Sequence, residues 1–578
     1  MIMSQFKDIN ETLRHENNAL VNQNQRADTI MRDTGGYSTF PKSFTQATTF
    51  DSGKAVPILL QECYPGDYYK INVLSILRLS AMTSTPYMNI NIDINFFFVP
   101  FDQLDKEFKN LMGENNEYGF SDTQIEFPKL TFDVKMDYTE NDLAGYLNLP
   151  INTDMTGDEI SNIYPFIAYG KIINEWYRDQ NLQDNIDITT CFNESREIKT
   201  STYNSDMSYL ESILYGKGLA PTSKLPSYYT TNLPYQQKGQ AISIGGFDLK
   251  DLVIGNTSHP NTLNLFSPQW YLNNGSQFSE PRPILANKTL TGYNDKEPTP
   301  SAGNAYMSLE IKAKDGVQPF NINDLRYSIV SQHLLENFAL CGSRYVEQLK
   351  SIWGIEIDPK SINRTELIGG TNQDLVFNNV LQTSQSTADS LLGKIGTNLY
   401  NQIGAPTIEY AASQHGYIIG IATARTPINN GGQGFPKLFR QKNMYDLWNP
   451  MFNGIGEQPT RNDELYYNAT DKSKNAKTFG WNEPFLSTKY NIDNASGFMS
   501  LKSKTSLFPM FLFGEKYTDT PILNAEWMNY NPNIIGNTLF NTTDQTKEFY
   551  HQFAGIFMFD IEYTTKQPLF NSPRVDYV

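Results

Sequence analysis

The clearest pattern along the chain is the run MNINIDINFFFVPF at 88–101, where Met88, Ile90, Ile92, Ile94, Phe96 and Phe98 alternate with Asn89, Asn91, Asp93 and Asn95. A period of two predicts an antiparallel strand with one face buried and the other in water, and Pro100 ends it. FAGIFMFDIEY at 553–563 repeats the pattern, with Phe557, Phe559, Ile561 and Tyr563 on one side. AVPILLQECY (55–64) and YKINVLSILRLS (69–80) predict two further strands, and YPGDY (64–68) supplies Pro and Gly for the turn between them. HGYIIGIATA at 415–424 is apolar on both faces, as a fully covered strand is.

Helical spacing interrupts the strands rather than alternating with them. Residues 165–177 place Phe166, Tyr169, Ile173, Trp176 and Tyr177 at helical intervals, and Pro165 suits a first turn. Residues 322–354 carry the longest helical pattern. There Asn323 is placed to cap, Leu325, Ile329, Leu334, Leu335 and Phe338 share a face, and Gly342 breaks the run. Asn/Gly/Ser/Pro-rich tracts at about 248–305, 371–400 and 455–500 are too long for ordinary connections, and no repeat of fixed period occurs. Strands at both ends with large insertions between them predict a mainly β fold, a Greek-key or jelly-roll sandwich. Residues 1–50, polar and poor in core-forming side chains, read as an N-terminal arm that orders on a partner surface.

Composition narrows the function. With 578 residues, 39% hydrophobic, the chain can bury a large core, and a length prior of about three to five domains is one that β folds with long insertions break. Only 19% of residues are charged, while 34 Tyr and 35 Phe suit pleated strands and broad packing interfaces. The net charge of −16 repels phosphate, so any nucleic-acid contact has to be a local basic patch or a basic partner. Cys63, Cys191 and Cys341 form no CxxC pair, which argues against a zinc ribbon or disulfide framework and for a reducing compartment. The polar N-terminus is not a signal peptide, and no apolar run reaches the roughly 18 residues that span a bilayer. The expectation is a soluble protein made inside the cell, without membrane insertion.

No metal or cofactor is expected. His15, His259, His333, His415 and His551 sit in no ligand spacing; His333 reads as a packing or capping residue, and His415 precedes a strand. No nucleophile elbow or phosphate loop occurs, and the glycines of NNGGQG (429–434) and GIG (454–456) read as turns. Two constellations remain. In FPKLFRQKNMYDLW (435–448), Lys437, Arg440 and Lys442 are interleaved with Phe439, Tyr445 and Trp448, a pattern suited to phosphate neutralisation with base stacking. The plainer reading is a solvated loop whose aromatic residues anchor in the core, and DKSKNAK (471–477) reads as a mobile loop tip. In IINEWYRDQNLQD (172–184), Glu175 and Asp179 beside Trp176 and Tyr177 could be the acid/base pair of a carbohydrate-active enzyme. A glycan-binding module is a third class. Arg178 favours a different reading, because opposite charges at i,i+3 and i,i+4 satisfy one another. Glu175, Arg178 and Asp179 are therefore expected to orient a subunit interface.

Seven segments in order resemble the major capsid protein of microviruses, the small phages with circular single-stranded DNA, most of all the gokushovirus-like branch. They are TTFDSGKAVPILLQECYPGDYYKINV (48–73), INFFFVPFDQLDKEFKNLMGEN (94–115), YPFIAYGKIINEWYRDQNLQD (164–184), YYTTNLPYQQKG (228–239), residues 323–354, QHGYIIGIATAR (414–425) and MYDLWNPMFNGIGEQ (444–458). The resemblance implies one eight-stranded antiparallel jelly roll over residues 51–578. Its insertions, which hold helices and loops, fall at about 102–235, 248–320 and 355–410, with 248–305 as candidate surface protrusion. It further implies pentamers and a T=1 icosahedral shell around single-stranded DNA, made in the host bacterial cytoplasm. The implied partners are scaffolding, pilot and small basic DNA-binding proteins of the same phage, and a host-cell surface receptor. The Asn/Tyr-rich insertions and the tail QPLFNSPRVDYV depart from the family pattern.

Overall fold

The computed structural model describes residues 37–79, 87–112, 126–188, 196–204, 207–239, 252–255, 310–313, 322–342, 344–356, 364–375, 380–381, 395–396, 400–452, 454–507, 511–535 and 551–567. They fall into two compact units, residues 236–344 and the remainder. In the larger unit ten strands build two antiparallel sheets. They are β1 (Ser38–Pro41), β2 (Phe44–Phe50), β3 (Val56–Cys63), β4 (Tyr68–Leu79), β5 (Ile90–Pro100), β6 (Glu366–Leu375), β7 (Tyr400–Gly404), β8 (Ile408–Ala411), β9 (Gly416–Arg425) and β10 (Phe553–Thr565).

In one sheet β10 is central, with β4 along one side and β1 and β2 in succession along the other; β7 and β8 follow in succession on the far side of β4. The second sheet runs β6–β5–β9–β3. Both sheets contribute to one apolar core, in which Phe96 of β5 meets Phe559 of β10 edge to face at 6.5 Å. Alternation explains β10 directly: Phe557, Phe559, Ile561 and Tyr563 are buried. β9 is buried almost throughout, as its two-sided apolar run predicts.

β5 departs from the half-buried strand that its alternation suggests. Ile90, Ile92, Ile94, Phe96 and Phe98 do face the core, but Asp93, Phe97 and Val99 on the opposite face are buried as well. The reason is a second layer. Helix α1 (Tyr164–Ile172) continues as a π-helical turn, Ile173–Tyr177, whose Trp176 and Tyr177 rings lie 5.6 and 6.0 Å from that of Phe97. Asp93 is compensated by Arg425 at 2.5 Å and by Asn372, so its burial leaves no bare charge. Pro165 sits in the first turn of α1, where its missing N–H costs nothing.

The expected arm is described only from Tyr37, and from Ser38 it is strand: β1 and β2 pair with β10, and Phe50 is fully buried against Phe553. For residues 38–50 the partner surface is the last described strand. The long helical pattern divides at Gly342 (φ +92°) into α2 (Ile322–Cys341) and α3 (Tyr345–Trp353). α2, in the smaller unit with the paired strands Leu252–Gly255 and Glu310–Ala313, does not bury the expected stripe: Ile329 and Leu334 are exposed, and Ala339 is buried instead. His333 is exposed beside Glu336 rather than packed. Most of the candidate protrusion, 248–305, lies outside the described residues. Cys63 is buried and Cys341 exposed, both as free thiols; Cys191 is outside the described residues.

Two outcomes follow from the core. Phe559→Ala removes a ring stacked on Phe44 (5.0 Å) and set against Phe96, and should cost about 3–5 kcal/mol in urea unfolding. Burial also raises the phenol of Tyr563 from 10.0 to about 12, and pushes those of Tyr69 and Tyr164 up as well. Below about pH 10 these phenols are neutral in both states and add no pH dependence. Above it the unfolded phenols ionise while the buried ones keep their protons, so stability should fall as pH rises from about 10. Urea midpoints across that range, with tyrosinate absorbance as the second signal, check this.

Candidate subunit and nucleic-acid interface

The segment 172–184 begins on α1 and leaves it at Arg178, where the backbone turns extended. Glu175 and Asp179 therefore do not share a helix face, contrary to the four-residue spacing. The Glu175 carboxylate takes Lys171 at 2.8 Å and both the N–H and hydroxyl of Thr365 at 2.7 Å. Asp179 caps its own turn, accepting the N–H groups of Asn181 and Leu182. Arg178 donates to the carbonyls of Asn174 and Gln183. Each charge thus closes a turn or ties α1 to the start of β6. Trp176 completes the joint: its Nε1–H donates to Thr365, and the Arg364 guanidinium lies 4.0 Å from its ring. At the other end of the segment, Gln180 donates to Glu347 of α3.

The basic–aromatic segment is arranged differently. Arg440 forks onto two carboxylates, Asp463 at 3.2 Å and Glu464 at 2.5 Å, with Arg461 also on Asp463 at 2.8 Å. Both acids come from the short helix Asn462–Leu465 and are largely buried. Burial drives the Asp463 carboxyl above its ordinary value against the pull of the arginines. Lys437 is half-buried, donating to Gln458, and burial lowers its ammonium. Among the described residues only Lys442 of the three cations has no ion-pair or hydrogen-bond partner for its ammonium. The chain entering the loop runs so close to that helix that a Cβ on Gly434 would lie 1.8 Å from the Glu464 carbonyl oxygen, which only glycine allows.

The aromatic residues are not anchored in the core. Phe439, Tyr445 and Trp448 are 78, 66 and 54% exposed, and Leu438, Met444, Leu447, Met451 and Ile455 are exposed with them. Sequence inspection missed those five aliphatic and sulfur-bearing residues because successive 3₁₀ turns impose neither a period of two nor one of 3.6. It missed Asp463 and Glu464 because they lie more than 20 positions from Arg440. The run 471–477 is built into the fold: Lys474 pairs with Asp519 at 2.8 Å, and Asn475 is buried and bonded to Asn468. His415 packs edge-on against Tyr64 and Phe108. Among the described residues no group of His, Cys, Asp and Glu is placed to hold a metal ion, and no helix is long and apolar enough to cross a membrane.

Comparison with known proteins bears on both segments. The profile of the family described as capsid protein (F protein) matches residues 32–575. Capsid protein VP1 of Bdellovibrio phage phiMH2K is 28% identical over 548 residues, 92% of this chain and 94% of that protein. Capsid protein VP1 of Spiroplasma virus 4 is 25% identical over 91% of this chain and 92% of its own. Capsid protein VP1 of Chlamydia phage 1 is 24% identical over 86% and 90%. The family is one of structural proteins, not enzymes, which removes the acid/base reading of Glu175 and Asp179.

The geometry ranks Arg440 above Lys442 in structural weight. Arg440→Gln leaves the buried Glu464 without its arginine and Asp463 with Arg461 alone, and should cost about 3–5 kcal/mol. Lys442→Gln, an exposed change, should stay within about 0.5 kcal/mol. Denaturant midpoints of the two variants check the ranking, and equal midpoints would reject it.

Proposed function

The chain belongs to the capsid protein (F protein) family, and from that premise we propose that it is the major coat subunit of a small phage with circular single-stranded DNA. The observation that carries this is the match over residues 32–575 together with three VP1 relatives that each align over 86% or more of the chain. In this reading the fold is one eight-stranded jelly roll. Support comes from register: β1 and β2 occupy one lane beside β10, and β7 and β8 one lane beside β4. Each sheet then has four lanes.

Copies of the chain close as pentamers into a T=1 icosahedral shell, assembled in the host bacterial cytoplasm with a scaffolding protein. Glu175, Arg178 and Asp179 belong to the joint that holds a contact face in shape, with their outer edges turned to a neighbouring subunit. Single-stranded DNA fills the shell. Of the expected triad Lys437, Arg440 and Lys442, it is Lys442 that offers phosphate an open ammonium. Most of the neutralisation therefore falls to a small basic DNA-binding protein and to cations, in keeping with the net charge of −16. The pilot protein and a surface receptor on the host complete the partners, with the insertion around 248–305 on the outer surface.

Purified chain, expressed with its scaffolding partner, should give uniform pentamers or shells by electron microscopy; a chain that stays monomeric with that partner present sinks the proposal. For the DNA contact, Lys442→Gln should lower the salt slope of single-stranded DNA binding by about 0.7, the share of one phosphate contact. An unchanged slope removes Lys442 from the DNA surface.

A further inference from the structure

The exposed face of residues 438–452 supports an assignment that rests on the coat reading and names a partner for this face. Leu438, Met444 and Met451 are 75, 68 and 87% exposed, alongside the three aromatic side chains already described. Exposed apolar residues gathered in one patch mark a contact site, and this patch has a fixed shape. Three 3₁₀ turns follow one another, Lys437–Arg440, Met444–Asp446 and Pro450–Phe452. The side chain of Asn443 accepts the N–H of Tyr445, and that of Asn449 accepts the N–H of Met451. Asp446 accepts the N–H groups of Lys442 and Asn443, which lowers its carboxyl below the usual value. Phe452 stacks on Phe485 at 6.0 Å and fastens the last turn from beneath. These bonds hold the turns before any partner arrives, so part of the cost of ordering the anchors has already been met in folding.

Charge selects the occupant. Arg440 is consumed by Asp463 and Glu464, and Lys437 is half-buried, so the exposed stretch 441–451 keeps one cation, Lys442, and one anion, Asp446. A nearly neutral face with Trp, Tyr, Phe and Met is a poor match to a polyanion. It matches the composition of protein interface cores, where these residues are enriched and Lys and Glu depleted. We propose that the apolar side chains of residues 444–452 are a subunit–subunit contact seated on a second copy of this chain, with Trp448 and Met451 as its central anchors and with the Lys442 ammonium outside it, open to phosphate.

The test uses the full chain. Shell formation by the wild type is scored first, and its failure sinks the coat reading and this contact with it. Unassembled subunits, empty shells and DNA-filled particles then receive equal doses of hydrogen peroxide, and sulfoxide at Met444 and Met451 is read by peptide mass spectrometry. The contact predicts oxidation at least about ten-fold slower in both kinds of shell than in the subunit. Protection confined to DNA-filled particles would give the face to nucleic acid, and equal oxidation in all three would leave it facing solvent; either overturns the assignment. A Trp448→Ser, Met451→Ser double variant should keep the Tm of the wild-type subunit while raising the concentration needed for shells by about ten-fold or more. A folded variant that assembles like the wild type also overturns it.

Discussion

The fold depends on one long-range pairing: the last described strand, β10, lies between β4 and the lane formed by β1 and β2. Thr39 meets Thr564 across 525 positions, and Ser52 meets Gln552 across 500. Tyr563 donates to the buried carboxylate of Asp67 in the turn between β3 and β4, and the Lys42 ammonium lies 3.8 Å from the Tyr563 ring. Closing so large a loop costs only slowly more as the loop lengthens, about 0.6 kcal/mol per doubling. A sheet joined at its ends can therefore carry long insertions between its strands. What it cannot tolerate is loss of the β10 stripe, because that stripe is shared by both sheets through Phe559.

The insertions do more than decorate this frame. α1 and its π-helical turn cover the outer face of β5, and Trp176 links that cover to Thr365 at the head of β6. The extra residue in the π turn brings Trp176 and Tyr177 together against Phe97. Glu175 could look reactive in isolation, but it is held by an ammonium, a hydroxyl and a backbone N–H. A carboxylate satisfied in this way is a strut. That fits a structural protein, where ion pairs fix the shape of surfaces that other copies must meet.

The same economy governs the loop around residue 440. Two of its three cations, Arg440 and Lys437, are turned inward or half-buried, while its apolar residues are turned outward on capped turns. Buried charge and exposed aromatic surface are each unfavourable for a lone soluble domain. They become consistent once the arginine is compensated by two acids and the rings are meant to be covered.

Reading the chain alone determined the strands whose side chains alternate or run apolar throughout, β3, β4, β5, β9 and β10, along with the start of α1 and the break at Gly342. Those features are set by local periodicity and by proline and glycine, which act within a few residues. The ordered motifs also pointed to the coat family. Tertiary structure alone decided that residues 38–50 join the sheet, because their half-polar pattern is that of an edge strand and the partner lies some 500 positions away. It also decided that Arg440 is internal and Trp448 external, the reverse of what residue type suggests. Whether a charge is free or spent depends on acids brought close by the fold, and whether a ring is core or surface depends on which side of a turn it leaves. Neither is written in the spacing of the residues themselves.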